Sequence, residues 1–202
     1  MRIETIEELE KLYPNKPVEM SVRKETPVIN AAYRRLIEAC PFLAVASIGA
    51  EGMDCSPRGD GPGFIKIIDD STVAIPDRRG NNRLDTLRNI VADERVALLM
   101  LIPGWNETLR INGRAHISAE PELLASMEMQ GKVPTSAIVV EIDTMYFQCA
   151  RALKRAKLWD PETRLGPDDL PKAGELVQSV VREFDGAEYD GALQERQAKT
   201  LY

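Results

Sequence analysis

Apolar and polar positions change period along the chain. Thr5 followed by Glu8 has the spacing of a capping box, which predicts a short helix ending near Tyr13, before Pro14 and Pro17. Thr26-Pro27 has the form of an N-cap with proline at the first helical position. Ile29, Tyr33, Leu36 and Ile37 follow at helical spacing, so a helix is expected over 28–39, ended by Cys40-Pro41. From Phe42 the period falls to two. FLAVASI, MDCSPR, FIKII and TVAI read as strands joined by turns at 49–52, at GDGPG and at Asp69-Asp70-Ser71. RRGNNR leads into a helix expected over 82–89, and RVALLMLI is the next strand. TLRINGRAHIS alternates: Leu109, Ile111, Gly113, Ala115 and Ile117 share one face, and Arg110, Asn112, Arg114 and His116 share the other. Pro121 opens a helix expected to reach Met129. AIVVEI, continued by MYFQ, is the last strand.

Six or seven strands joined mostly by short turns, without βαβ alternation, predict an antiparallel sheet rather than a parallel one. Closing it into a barrel would remove exposed edges. After Asp160 the composition shifts: Pro161, Pro167 and Pro171 punctuate a loop, a helix is expected over 172–184, and the polar end is expected to be loosely held. The chain thus divides into an N-terminal helical segment packing on the barrel (1–40), the barrel (41–159) and a C-terminal helical extension (160–202).

Composition narrows the chemistry. The 202 residues carry a formal net charge of -6, which argues against broad nucleic-acid or anionic-membrane binding. Three widely spaced cysteines form neither a disulfide framework nor a zinc pattern, and no metal site is expected. The mixed charges of MRIETIEELEKLY do not resemble a signal peptide, and the longest apolar run, 96–102, is far below transmembrane length, so a cytoplasmic location is expected. A single histidine, His116, removes most hydrolase and multi-histidine metal chemistry, so demanding chemistry would fall to a bound cofactor and no catalytic side chain is assigned.

Four segments could hold one. Arg78, Arg79 and Arg83, around Gly80, Asn81 and Asn82, combine planar guanidinium forks with a helix start, a combination suited to a terminal phosphate or to a solvated loop. Ser56 and Arg58 share a strand face and could reach one phosphate. Arg110 and Asn112 could hydrogen-bond a planar ring. Arg151, Lys154 and Arg155 sit at helical spacing before Trp159, either as a solvated face or as a basic lip over an anion. Cys149, beside them, reads as a buried, inert thiol.

The run PFLAVASIGAEGMDCSPRGDGPGFIKIIDDSTVAIPDRRGNNRLDTLRNI, followed by RVALLMLIPGWNETLRINGRAHIS and CARALKRAKLW, resembles the pyridoxamine 5′-phosphate oxidase-like FMN-binding split-barrel flavoproteins. The resemblance covers about 41–159. It implies a mainly β fold with flanking helices, a six-stranded antiparallel split β-barrel. It also implies a homodimer with FMN at the subunit interface, acting on a small-molecule substrate. By the same resemblance, Ile75, Pro76, Asp77 and Arg78 would lie along the flavin and ribityl chain, and Asn82 and Arg83 on the phosphate. Ser56 and Arg58 would add phosphate or ribityl contacts, and Arg110 and Asn112 would reach the flavin edge. Arg151, Lys154 and Trp159 would come from the partner subunit. The Trp-Arg-Leu and Arg-x-His signatures of pyridoxamine 5′-phosphate oxidases proper have no counterpart, so no vitamer substrate is implied. An FMN-dependent oxidoreductase is the reading. A non-catalytic flavin store or redox sensor is the alternative, with a barrel using the deazaflavin F420 or haem as the weaker third.

Overall fold

The first long strand, β1 (Phe42–Gly49), buries Leu43, Val45 and Ser47 and leaves the alternate residues partly open. It pairs with β2 (Gly52–Gly59) on one side and β5 (Arg95–Leu101) on the other, both antiparallel. The computed structural model describes residues 2–50 and 52–202, so Glu51 of the predicted 49–52 turn lies outside the described residues. β3 (Lys66–Ile67), β4 (Thr72–Asp77), β6 (Thr108–Ser118) and β7 (Ser136–Gln148) complete one seven-stranded sheet in the order β2-β1-β5-β6-β7-β4-β3. Six of these strands have six or more residues, as the split-barrel expectation requires. The seventh, β3, has two, because Phe64 and Ile65 of the expected FIKII strand turn into the core instead of pairing.

Directly opposed residues of an antiparallel pair share a sheet face. One face therefore carries Leu43, Val45, Leu98, Met100, Leu109, Ile111, Ile138, Val140, Val73 and Ile75, all buried in a single cluster. This is the barrel interior. Helix α4 (Asp85–Ala92) closes part of it: Ile90 joins the core, Thr86 Oγ1 donates to Asp54, and Asn89 Nδ2 donates to Ser47 Oγ at 3.2 Å. On the opposite face, α5 (Pro121–Ala125) and the turn after it cover β4 and β7 through Leu124 and Met127 against Ala74, Ala137 and Val139.

At the N-terminus, α1 (Ile6–Leu12) and α2 (Glu19–Arg23) bury no residue. Half of the capping box forms: Glu8 N donates to Thr5 Oγ1, while the Glu8 carboxylate accepts from Glu4 N instead of Thr5 N. The next helix, α3 (Ala31–Ala39), packs Tyr33 and Ile37 on the core, but its cap is Asn30, whose Oδ1 accepts from Ala32 and Tyr33. Thr26 does not cap it. Its backbone bridges to Met145 of β7 in both directions, and this tertiary pairing overrides the local cap signal. Local backbone sets the bounds of three other helices. α4 begins at Asp85 because Asn82 has a left-handed φ of 58°; α5 stops at Ala125; and α6 (Arg151–Ala156) ends where Lys157 adopts φ 49°. The C-terminus is also more ordered than its composition suggests. After a 3₁₀ turn (Pro161–Thr163), α7 (Ala173–Val180) and the 15-residue α8 (Gly186–Thr200) form a hairpin that crosses at Gly174 and Gly186.

The sheet does not close through its backbone. Between β2 and β4 lies a split, and a proline stands on each bordering strand: Pro57 in β2, and Pro76 in β4 beyond the end of β3. Side chains cross it instead. Arg58 Nη2 lies 3.6 Å from Asp77 Oδ1, and Arg78 Nε lies 2.8 Å from Asp60 Oδ2.

Candidate functional site

The split is where the sequence-derived candidates converge most closely. Ser56 and Arg58 sit on the inner face of β2, opposite Val45 and Leu43. Arg58 Nη1 donates to Ser56 Oγ at 2.7 Å, and its Nη2 faces Asp77. Arg58 Nε is buried and has no hydrogen-bond partner. A buried donor left unmade costs free energy, so an acceptor at this point would recover it. Asp77 is largely buried, and desolvation pushes its carboxyl above the ordinary aspartate value, with Arg58 pulling it back down.

A second guanidinium stands beside this pair and is engaged through two of its three nitrogens. Arg78 Nε donates to Asp60 and its Nη1 to the Met127 carbonyl at 2.8 Å, while the Tyr202 ring lies 5.8 Å from it. Tyr202 donates its hydroxyl to Asp60 Oδ1 at 2.7 Å, and that bond holds the phenol above its usual pKa. Asp60, whose side chain is 1% exposed, thus joins β2, the residue after β4 and the C-terminus. Neither Asp60 nor Tyr202 figured among the candidates. Asp60 was hidden in the glycine-rich GDGPG turn, and Tyr202 lies 142 residues away along the chain with no motif to connect them. Tyr202→Phe should keep the ring against Arg78 and lose the hydroxyl bond. Stability should fall by about 1 kcal/mol, the usual worth of one hydrogen bond. Thermal unfolding of the variant checks this.

The other candidates lie apart. Ile75 is fully buried in the core and Pro76 is buried on the opposite face, so a ligand along β4 would meet backbone there. Asn82 and Arg83 are exposed, and Arg83 is held by Asp85 at 2.8 Å, in the first turn of α4. That acid offsets the positive helix end which the arginine loop was expected to exploit. Arg110 and Asn112 lie on the outer sheet face. Arg110 is 5.6 Å from the Tyr146 ring, and Asn112 is opposite Thr144, whose hydroxyl is buried without a partner. Arg151 and Lys154 are exposed on α6, while Trp159 Nε1 donates to the Trp105 carbonyl at 2.8 Å. Cys149 is exposed rather than buried. Cys40 is the buried thiol, and burial pushes its pKa up. Among the described residues no cluster of metal-ligating side chains occurs, and no helix is long and apolar enough to cross a membrane.

The chain also has known relatives in structure. An F420 reductase is 17% identical, covering 58% of this chain and 98% of its own, with a TM-score of 0.43. A variant of HupZ from Group A Streptococcus is 17% identical over 59% of this chain and 99% of its own, with a TM-score of 0.48. An FMN-binding protein from Syntrophomonas wolfei subsp. wolfei is 13% identical over 71% and 97%, with a TM-score of 0.46. No curated protein matches the chain. The family model described as Pyridoxamine 5'-phosphate oxidase matches residues 29–149, more than half of the chain and the whole span from α3 to the end of β7. The chain belongs to the pyridoxamine 5'-phosphate oxidase family.

Proposed function

We propose that this protein binds FMN with its phosphate end at the split between β2 and β4, and that it is an FMN-dependent oxidoreductase acting on a small molecule. The observation that carries this is the buried, partnerless Nε of Arg58 beside Ser56 Oγ. A phosphate oxygen is the acceptor this pair fits, because a guanidinium offers two parallel donors to it. When bound, the flavin supplies hydride or electron transfer. The chain's own residues bind and orient: Ser56 and Arg58 hold the anion, Asp77 keeps the guanidinium aimed, and Asp60 with Arg78 and Tyr202 fixes the far side of the split. Thr144 Oγ1, also buried without a partner, marks a second polar spot beside Arg110 and Asn112, the residues proposed for the ring edge.

The working unit in this reading is a two-fold homodimer. The outer face of β2, β1 and β5 presents Met53, Cys55, Pro57, Phe42, Ala44, Ala46, Ala97 and Leu99 with no helix across it. An apolar sheet face of this extent is an association surface, and Arg110, Asn112 and Thr144 border it. Arg151, Lys154 and Trp159 are proposed to reach the flavin of the partner subunit.

The experiment is a visible spectrum of the purified protein, reconstituted with FMN, with F420 as the competing ligand, followed by light scattering. Flavin bands, two chains per particle, and reoxidation of the NADH- or NADPH-reduced flavin by a small acceptor are expected. Failure to bind FMN overturns the cofactor, binding without turnover leaves a flavin store or sensor, and a monomer with FMN tightly bound overturns the dimer. His116 and Cys149 are exposed and lie outside the split, so His116→Gln and Cys149→Ser should each retain FMN and at least about a tenth of turnover, a barrier change under roughly 1.4 kcal/mol.

A further inference from the structure

Two surfaces of opposite charge are left uncovered at the two ends of the barrel sequence. The first is the N-terminal arm. Helix α1 carries Glu7, Glu8 and Glu10, preceded by Glu4, against a single Lys11. Its apolar residues Ile6, Leu9, Leu12 and Tyr13 are between 41% and 73% exposed. A seven-residue helix that buries nothing lacks the tertiary packing on which short helices depend.

The second surface is the basic lip of α6. Arg151, Lys154, Arg155 and Lys157 follow one another without an acidic residue, in a chain whose net charge is -6. Among the described residues none of the four forms an ion pair. Leu158, 48% exposed, adds an apolar spot beside them. The acidic helix and the basic lip thus match in charge and in apolar content.

We propose that α1 of one chain docks on the α6 lip of a second copy of this chain, so that each arm clamps the helix its partner lays toward the flavin site. This rests on the two-fold dimer proposed above. The arm is rooted by Thr26 on Met145, and Lys24 donates to the Phe147 carbonyl with its ammonium over the Phe147 and Tyr146 rings. Tyr146 belongs to the outer sheet face on which the dimer would form, so the arm leaves the body at the rim of that interface. The arm's own α6 begins only four residues after Phe147, within reach, yet α1 is not seated on it in the single chain. A second copy offers the same lip from the other side of the rim, and a two-fold axis makes the exchange reciprocal.

A mixed-dimer experiment separates a partner's lip from a chain's own. One variant reverses the arm (Glu7→Lys, Glu8→Lys, Glu10→Lys), and the other reverses the lip (Arg151→Glu, Lys154→Glu, Arg155→Glu, Lys157→Glu). Hydrogen exchange across residues 6–12 is followed by mass spectrometry at a concentration where light scattering shows dimers. Exchange should be about tenfold or more faster in each variant alone than in the unaltered protein. It should return to the slow rate when the two variants are unfolded together, refolded as mixed dimers and measured. In that mixture each arm meets a lip of opposite charge only across the two-fold. A mixture as fast as its components, with slow exchange in a chain carrying both reversals, would place the arm on its own α6 and overturn the proposal. Equal exchange in every protein would overturn the docking altogether. A monomeric unaltered protein would overturn the dimer reading itself.

Discussion

Arg58→Met should weaken FMN binding about ten- to a hundredfold while weakening riboflavin much less. The side chain offers one unpaired donor, Nε, to the proposed phosphate position, and a charge-assisted bond contributes roughly 1.5–3 kcal/mol. A fluorescence titration with both ligands reads the difference, and equal losses would mean that Arg58 does not meet the phosphate. The same substitution strands Asp77, whose side chain is 23% exposed. Its carboxyl is already raised by burial against the pull of Arg58, and losing that pull raises it further. The sign follows. An acid whose pKa is raised in the folded state binds its proton more tightly there than when unfolded. Its favourable contribution is complete below the ordinary aspartate pKa and is lost as the pH rises through the raised value. The stability deficit of Arg58→Met should therefore be small in acid and grow toward neutrality. Thermal unfolding from mildly acidic to neutral pH checks this. Adding Asp77→Asn should restore stability at neutral pH and leave FMN binding impaired, which separates the anion site from the fold.

Gly113→Ala should be the most destabilising single methyl in the barrel. The ladder between β6 and β7 slips at Asn112/Gly113, and a Cβ at Gly113 would stand 2.1 Å from the Glu141 carbonyl oxygen. That atom is backbone of the neighbouring strand and cannot rotate away. A loss of about 3 kcal/mol is expected, at the upper end for overpacking, which for a chain of this size lowers Tm by about 6–12 °C. Gly80→Ala is the control: its Cβ meets open space, so the change should stay within about 0.5 kcal/mol. Calorimetry on the two variants decides whether the slip is rigid.

The strands were legible because burial on one face imposes a period of two. TLRINGRAHIS became β6, with Leu109, Ile111, Gly113 and Ala115 inward as its alternation required. What alternation could not supply was the relation between strands. Ser56 and Arg58 face inward, whereas Arg110 and Asn112 face outward, and only the pairing of β1 with β2 and of β5 with β6 decides this. Local signals failed where a distant contact outweighed them. Thr26 had the chemistry of a cap and was taken up by Met145, and the Asn82 that was expected inside a helix turned left-handed. The polar C-terminus gave no sign of a partner, because one hydroxyl on one carboxylate, Tyr202 on Asp60, leaves no periodicity behind.

The prolines on the two borders of the split have a consequence for how the barrel ages and assembles. Strands that face each other across a narrow gap tend to zip, and an open sheet edge recruits strands from other molecules. Proline donates no backbone hydrogen, so in sheets it is confined to edge positions, where it breaks the row of donors that a ladder needs. Pro57 and Pro76 interrupt that row on both lips, and β3 shortens the remaining edge to two residues. The gap is thereby prevented from healing into a continuous cylinder and from seeding a fibre. The slot stays open by covalent design, whether or not anything occupies it.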